Sequence, residues 1–138
     1  MTVLQMRYTN MDISDLRGSL LADLLIAIDA DFEVRAEGRV IYEEPAFPVV
    51  ELARSLAVWA ATEDHDDFIF ESLTADEPGI VMIRREGGGW VVSSAFTPEV
   101  VSAVADWVDV SACIAEFIGR VTAELRQRGV DADRIFRS

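Results

Sequence analysis

The sequence predicts an α+β domain: an antiparallel sheet of about five or six strands, with two main helices packed on one of its faces. Three observations carry that expectation. Apolar and polar residues alternate over several short stretches. Brief turns containing glycine join those stretches, and such turns pair neighbouring strands antiparallel. Two longer stretches instead repeat their apolar residues at intervals of three and four.

Val3 to Tyr8 forms the first expected strand, followed by a polar, turn-like stretch from Asn10 to Gly18. The clearest alternation follows. Leu24, Ile26, Ile28, Ala30, Phe32, Val34 and Ala36 share one face, while Asp29, Asp31, Glu33 and Arg35 lie on the other. A strand is therefore expected from Leu24 onward, although the Leu- and Ala-rich stretch from Ser19 to Ile28 is also compatible with helix. Glu37-Gly38 supplies a two-residue turn, and Arg39 to Glu44 returns as the partner strand.

Pro45 to Pro48 breaks the sheet and opens a helix, with Pro48 in its first turn. Val49, Leu52, Ala53, Leu56, Val58, Trp59 and Ala60 form its broad apolar side, and Glu51, Arg54 and Ser55 point away. Three further strands are expected at Phe68–Leu73, Ile80–Arg85 and Trp90–Phe96. Turns at Ala75–Gly79 and Glu86–Gly89 separate them. Glu99 to Asp109 reads as loop or one short helical piece. Ser111 is expected to cap a last helix whose stripe is Ile114, Phe117, Ile118, Val121 and Leu125, with Gly129 as its stop. One domain over residues 1–138 is expected, with Val130 to Ser138 as a fraying tail.

Charge is the strongest compositional feature. Twenty-five acids face twelve bases, all arginine, for a formal charge of −13. A surface of that sign repels nucleic acid and anionic lipid and attracts basic proteins. No stretch is long and apolar enough to span a bilayer, and no secretory signal is visible at the N-terminus. Cys113 is the single cysteine and cannot form an internal disulfide. The cytoplasm is the expected location.

Several features bear on chemistry. Glu63-Asp64-His65-Asp66-Asp67 holds metal-ligand residue types, but lacks both the alternating spacing and the glycine of a calcium loop. It reads as a solvated acidic loop, and no metal or other cofactor is expected. His65, the only histidine, would have to serve any Ser-His-Asp or Cys-His arrangement. Cys113 beside an apolar stripe reads as a small buried residue rather than a nucleophile. Glu86 to Trp90 superficially resembles a phosphate loop, yet a strand follows it where a helix would be needed. Asp29, Asp31 and Glu33 lie in a row on one strand face, about 7 Å apart. On a wet face they would titrate alike, which argues against an acid–base pair and leaves two readings, plain solvation and a stripe read by a basic surface. Trp90 opens a strand just after a turn, where partial exposure is easy and an anchor for a partner could sit, although core packing is the default reading for all three tryptophans.

Gly38 to Ala53, Asp67 to Ser72, Ile83-Arg84-Arg85 and Gly89-Trp90 are similar to a family of uncharacterised small actinobacterial proteins. The similarity runs from about Arg17 to Gly129 and implies no activity. In size, acidity and strand–helix layout the chain also resembles the immunity proteins of bacterial polymorphic toxin systems. That second likeness implies a cytoplasmic inhibitor that neutralises a basic, nuclease-type toxin domain by contact. The residues expected to make the contact are Asp29, Asp31, Glu33, Asp64, Asp66, Asp67 and Trp90. Two readings compete. One is a small-molecule-binding or enzymatic domain with a pocket between sheet and helices. The other is a self-associating accessory or chaperone-like protein, for which a homodimer is the signature.

Overall fold

The computed structural model describes residues 3–63, 65–73 and 79–136. The expected turn at Ala75–Gly79 and the loop residue Asp64 fall wholly or largely outside them. The elements run β1 (Leu4–Asp12), α1 (Leu21–Ile26), β2 (Asp29–Ala36), β3 (Arg39–Phe47), α2 (Val49–Ala60), β4 (Phe68–Ile69), β5 (Met82–Glu86), β6 (Gly89–Ser93), α3 (Trp107–Gln127) and α4 (Ala132–Phe136). The class is α+β, but the strands do not make one sheet. They form two three-stranded antiparallel sheets, β1-β2-β3 and β4-β5-β6, and four helices accompany them, two of them long.

The split has a local cause. β3 leads directly into α2, and β4 is only two residues long, so no ladder joins the halves. Side chains join them instead. The Thr97 hydroxyl donates to the Ile41 carbonyl at 2.9 Å, and the Arg39 guanidinium donates to that of Val101, also at 2.9 Å. Phe47 of β3 meets Phe70, with ring centroids 5.9 Å apart, and one apolar cluster runs through both sheets and all the helices.

In β2 the alternation is realised as read: Ala30, Phe32, Val34 and Ala36 are buried, and Asp31 is exposed. Phe32 and Tyr8 turn toward Phe117 of α3, 5.8 and 6.2 Å away, so α3 covers the inner face of the first sheet. Glu37 and Gly38 both take positive φ (52° and 80°), the geometry of the tight hairpin turn that fits strand twist.

Four expectations need correction. Leu21–Ile26 is helix α1 rather than the front of a strand. Leu24 and Leu25 are consecutive and both buried, which a helix permits and an alternating strand forbids. β3 continues past Glu44 to Phe47, because Ala46 (φ 53°) and a register shift carry Pro45 through the pleat. α3 starts at Trp107 behind Asp106, not behind Ser111, whose hydroxyl bonds the Val108 carbonyl inside the helix. The C-terminal stretch forms α4, with Ile135 fully buried and its carbonyl held by Arg54 Nε at 3.1 Å.

Glu51 also departs from its expected outward direction. It is 5% exposed in the first turn of α2. Its two oxygens accept from the Ser72 hydroxyl (2.6 Å) and the Leu73 N–H (2.8 Å). A carboxylate near a helix N-terminus is favoured by the helix dipole, and here it also anchors the chain beyond β4.

Candidate functional site: the outer face of the first sheet

Strand register decides which acids meet. β1 and β2 pair Arg7 with Glu33, Thr9 with Asp31 and Asp12 with Asp29. β2 and β3 pair Glu33 with Glu43. Since side chains alternate, these residues share the outer face, opposite the helices. A shallow groove of about 430 Å³ runs there, lined by Arg7, Thr9, Asp31, Glu33, Glu43, Glu44 and Pro45 along with parts of Tyr8 and Phe32.

The acids of this face differ in how they are held. Glu33 is paired: Oε1 takes Arg35 Nε at 2.9 Å and Arg7 Nε at 3.7 Å. Asp31 is exposed and accepts from Asn10 Nδ2 at 3.0 Å. Burial, then the charges of Asp12, Asp15 and Asp31, raise the pKa of Asp29 above the usual carboxylate value. Asp12 moves the other way, because the hydroxyl and backbone N–H of Ser14 favour its charged form. Among the described residues, the remaining ion pairs lie on α3 and α4 (Arg120–Glu116, Arg126–Asp133, Arg128–Glu124). Arg17, Arg39 and Arg54 donate to backbone carbonyls. No arginine forms an ion pair with Asp12, Asp29, Asp31 or Glu43 among the described residues, and these acids of the face stay unneutralised.

Asp12 and Glu43 are members of the face that sequence reasoning missed. Asp12 lies beyond the expected end of the first strand, and the partner of Glu43 depends on a register shifted by two bulges. The doubled acids Glu43-Glu44 on an expected strand were the available signal.

The acidic loop after α2 belongs to another neighbourhood. Asp66 and Asp67 are exposed, but both serve local structure. The Asp66 carbonyl accepts from Trp59 Nε1 at 2.8 Å, and Asp67 Oδ1 accepts from the Arg85 N–H at 2.9 Å. Asp64 lies outside the described residues. His65 is half-buried, stacked on Trp107 and edge-on to Trp59, with Nε2 3.3 Å from the Ala60 carbonyl. The three tryptophans meet here, with centroids 5.4 to 5.6 Å apart.

Trp90 must be withdrawn as a surface anchor. It is 3% exposed, enclosed by Trp59 and Trp107, and the Arg85 guanidinium lies 5.2 Å above its ring. A segment absent from the expected sheet pairs with its backbone. Residues 102–105 run beside β6 and exchange two hydrogen bonds of 2.8 Å between Trp90 and Ala105. The approach is so close that a Cβ on Gly89 would stand 2.5 Å from Val104 Cγ1 and 2.7 Å from the Ala105 carbonyl oxygen.

Cys113 is buried, and burial pushes its thiol up to about 12. No group of three or more acidic, cysteine or histidine side chains among the described residues is arranged to hold a metal ion. No helix among them is long and apolar enough to cross a membrane.

Comparison with curated proteins and with solved structures gives no match. A family model matches residues 4–127, the whole span from the start of β1 to the end of α3, and the chain belongs to that family, described as a domain of unknown function (DUF7878).

Proposed function

We propose that this protein is an immunity-type inhibitor that binds a basic toxin domain through the outer face of β1-β2-β3. One observation supports the reading above the others: among the described residues, acids from three strands meet on the sheet face opposite α3, and only Glu33 of them is ion-paired to an arginine. A toxin that cleaves nucleic acid must be cationic to hold phosphates. A dense negative face therefore accelerates encounter with it and penalises acidic competitors. Asp29, Asp31 and Glu33 keep the role expected of them, joined by Asp12 and Glu43, while Trp90 drops out because it is buried.

The test is co-expression with basic toxin domains encoded beside the gene, scored by cell survival and by affinity at two salt concentrations. Survival is expected, with binding weakened more than tenfold between about 50 and 500 mM NaCl, as exposed charges are screened. Failure to bind any such domain, or affinity indifferent to salt, would overturn the proposal.

A further inference from the structure

We infer that the groove on the outer face receives an arginine side chain carried on an extended segment of the partner, with Glu33 and Glu43 as the carboxylates that grip it. This rests on the docking reading above and adds the chemistry of the contact.

Glu33 and Glu43 are direct cross-strand neighbours, a like-charge pairing that weakens a sheet. Arg7 and Arg35 relieve Glu33, but both approach the same oxygen, Oε1. Glu43 is exposed and has no ion pair among the described residues. Across the three strands the row therefore reads positive, negative, negative, and a cation between the two glutamates would complete the alternation. The same sheet repeats the violation where Asp12 faces Asp29. Two like-charge pairings on the solvent-facing side of this sheet are understandable if a ligand relieves them, since local rules are commonly broken where function demands it.

The occupant follows from shape and charge. A guanidinium is planar and can donate to two carboxylates together, whereas an ammonium acts as a point charge. The groove, at about 430 Å³, is larger than one side chain and runs across strands, so it also accommodates the extended backbone that carries the arginine. Asp31 and Glu44 also line it and add two further carboxylates, the latter accepting from the Tyr42 hydroxyl.

The experiment titrates the full-length protein with hexa-arginine and hexa-lysine peptides at low salt. It compares the wild type with Glu43→Gln, Asp31→Asn and Glu116→Gln, the last making the same charge change on exposed α3. Hexa-arginine is expected to bind about tenfold tighter than hexa-lysine and to lose about tenfold in Glu43→Gln, each equivalent to roughly 1.4 kcal/mol. Asp31→Asn should lose affinity too, and Glu116→Gln should stay within about twofold of the wild type. Glu43→Gln should also raise the Tm of the free protein, because the like-charge pair is gone. Equal weakening by Glu43→Gln and Glu116→Gln, equal binding of the two peptides, or a lowered Tm in Glu43→Gln would each overturn the inference. Toxin protection that survives alongside such results would leave the inhibitor reading standing. Peptide discrimination without toxin protection would remove that reading and keep the groove.

Discussion

The imidazole of His65 stacks on the indole of Trp107, with ring centroids 4.1 Å apart and planes 27° from parallel. Trp107 is the first residue of α3, and His65 follows α2 by five residues, so the stack ties the end of one long helix to the start of the other. Trp90 of β6 lies within 6.4 Å of the same imidazole. The aromatic joint therefore couples the second sheet to both long helices.

Breaking that joint should be visible in both stability and emission. Trp90→Ala empties a site that is 3% exposed and should cost about 3–5 kcal/mol. His65→Ala removes one stacked ring from a half-buried position and should cost about 1 kcal/mol. It should also shift the tryptophan emission to the red, as Trp107 gains water. Urea titrations followed by fluorescence measure both, and an unchanged spectrum in His65→Ala would show that the stack does not persist in solution.

Glu51 is predicted to be the most sensitive acid in the chain. Glu51→Ala removes the acceptor of both the Ser72 hydroxyl and the Leu73 N–H from a buried position, at a cost of about 2–3 kcal/mol. Glu51→Gln retains one oxygen and should lose less. Amide hydrogen exchange at Leu73 should accelerate in Glu51→Ala, and exchange at the wild-type rate would refute the anchor.

Asp29 makes a pH prediction whose sign follows from its surroundings. Its folded-state pKa is raised, so the native protein holds that proton more tightly than the unfolded chain, and stability falls as pH rises through the window above 3.8. Asp29→Asn lacks this penalty. It should be more stable than the wild type at pH 6, with the difference shrinking toward pH 3.8. Asp12, lowered by Ser14, contributes stability that is present above 3.8 and lost below it. Urea midpoints of Asp12→Asn and wild type should therefore converge only in stronger acid. A gap between Asp29→Asn and wild type that is constant with pH would contradict the account.

Cys113 should be chemically quiet while the protein is folded. With its thiol pushed up to about 12, almost no thiolate exists at pH 8, and the sulfur is buried besides. Alkylation by iodoacetamide, followed by mass spectrometry, should be at least a hundredfold slower in buffer than in about 6 M urea, where the unfolded thiol has an ordinary pKa. Comparable rates would mean that α3 opens readily.

Much of the fold was legible because its signals are local. The alternation of β2, the Glu37-Gly38 turn, the apolar side of α2 and the Phe117–Val121–Leu125 stripe of α3 each depend on residues within a few positions of one another. Errors arose where a neighbour distant in sequence decides. Leu21 to Ile26 offers period two and period 3.6 together, and only the burial of adjacent Leu24 and Leu25 selects helix. Whether Trp90 packs in the core or reaches the surface depends on Trp59 and Trp107, which are distant along the chain and enclose its ring.

The candidate site divides in the same way. The excess of acid, the alternation that sends Asp29, Asp31 and Glu33 to one side, and the helical stripes are written in the amino-acid order, because composition and short-range periodicity are properties of the chain. Long-range packing is what sets Asp12 against Asp29 and Glu43 against Glu33, puts α3 on the opposite face, and makes two sheets instead of one. Cross-strand register is set by bulges and by competition for the core, which are energies of the whole fold and have no local signature.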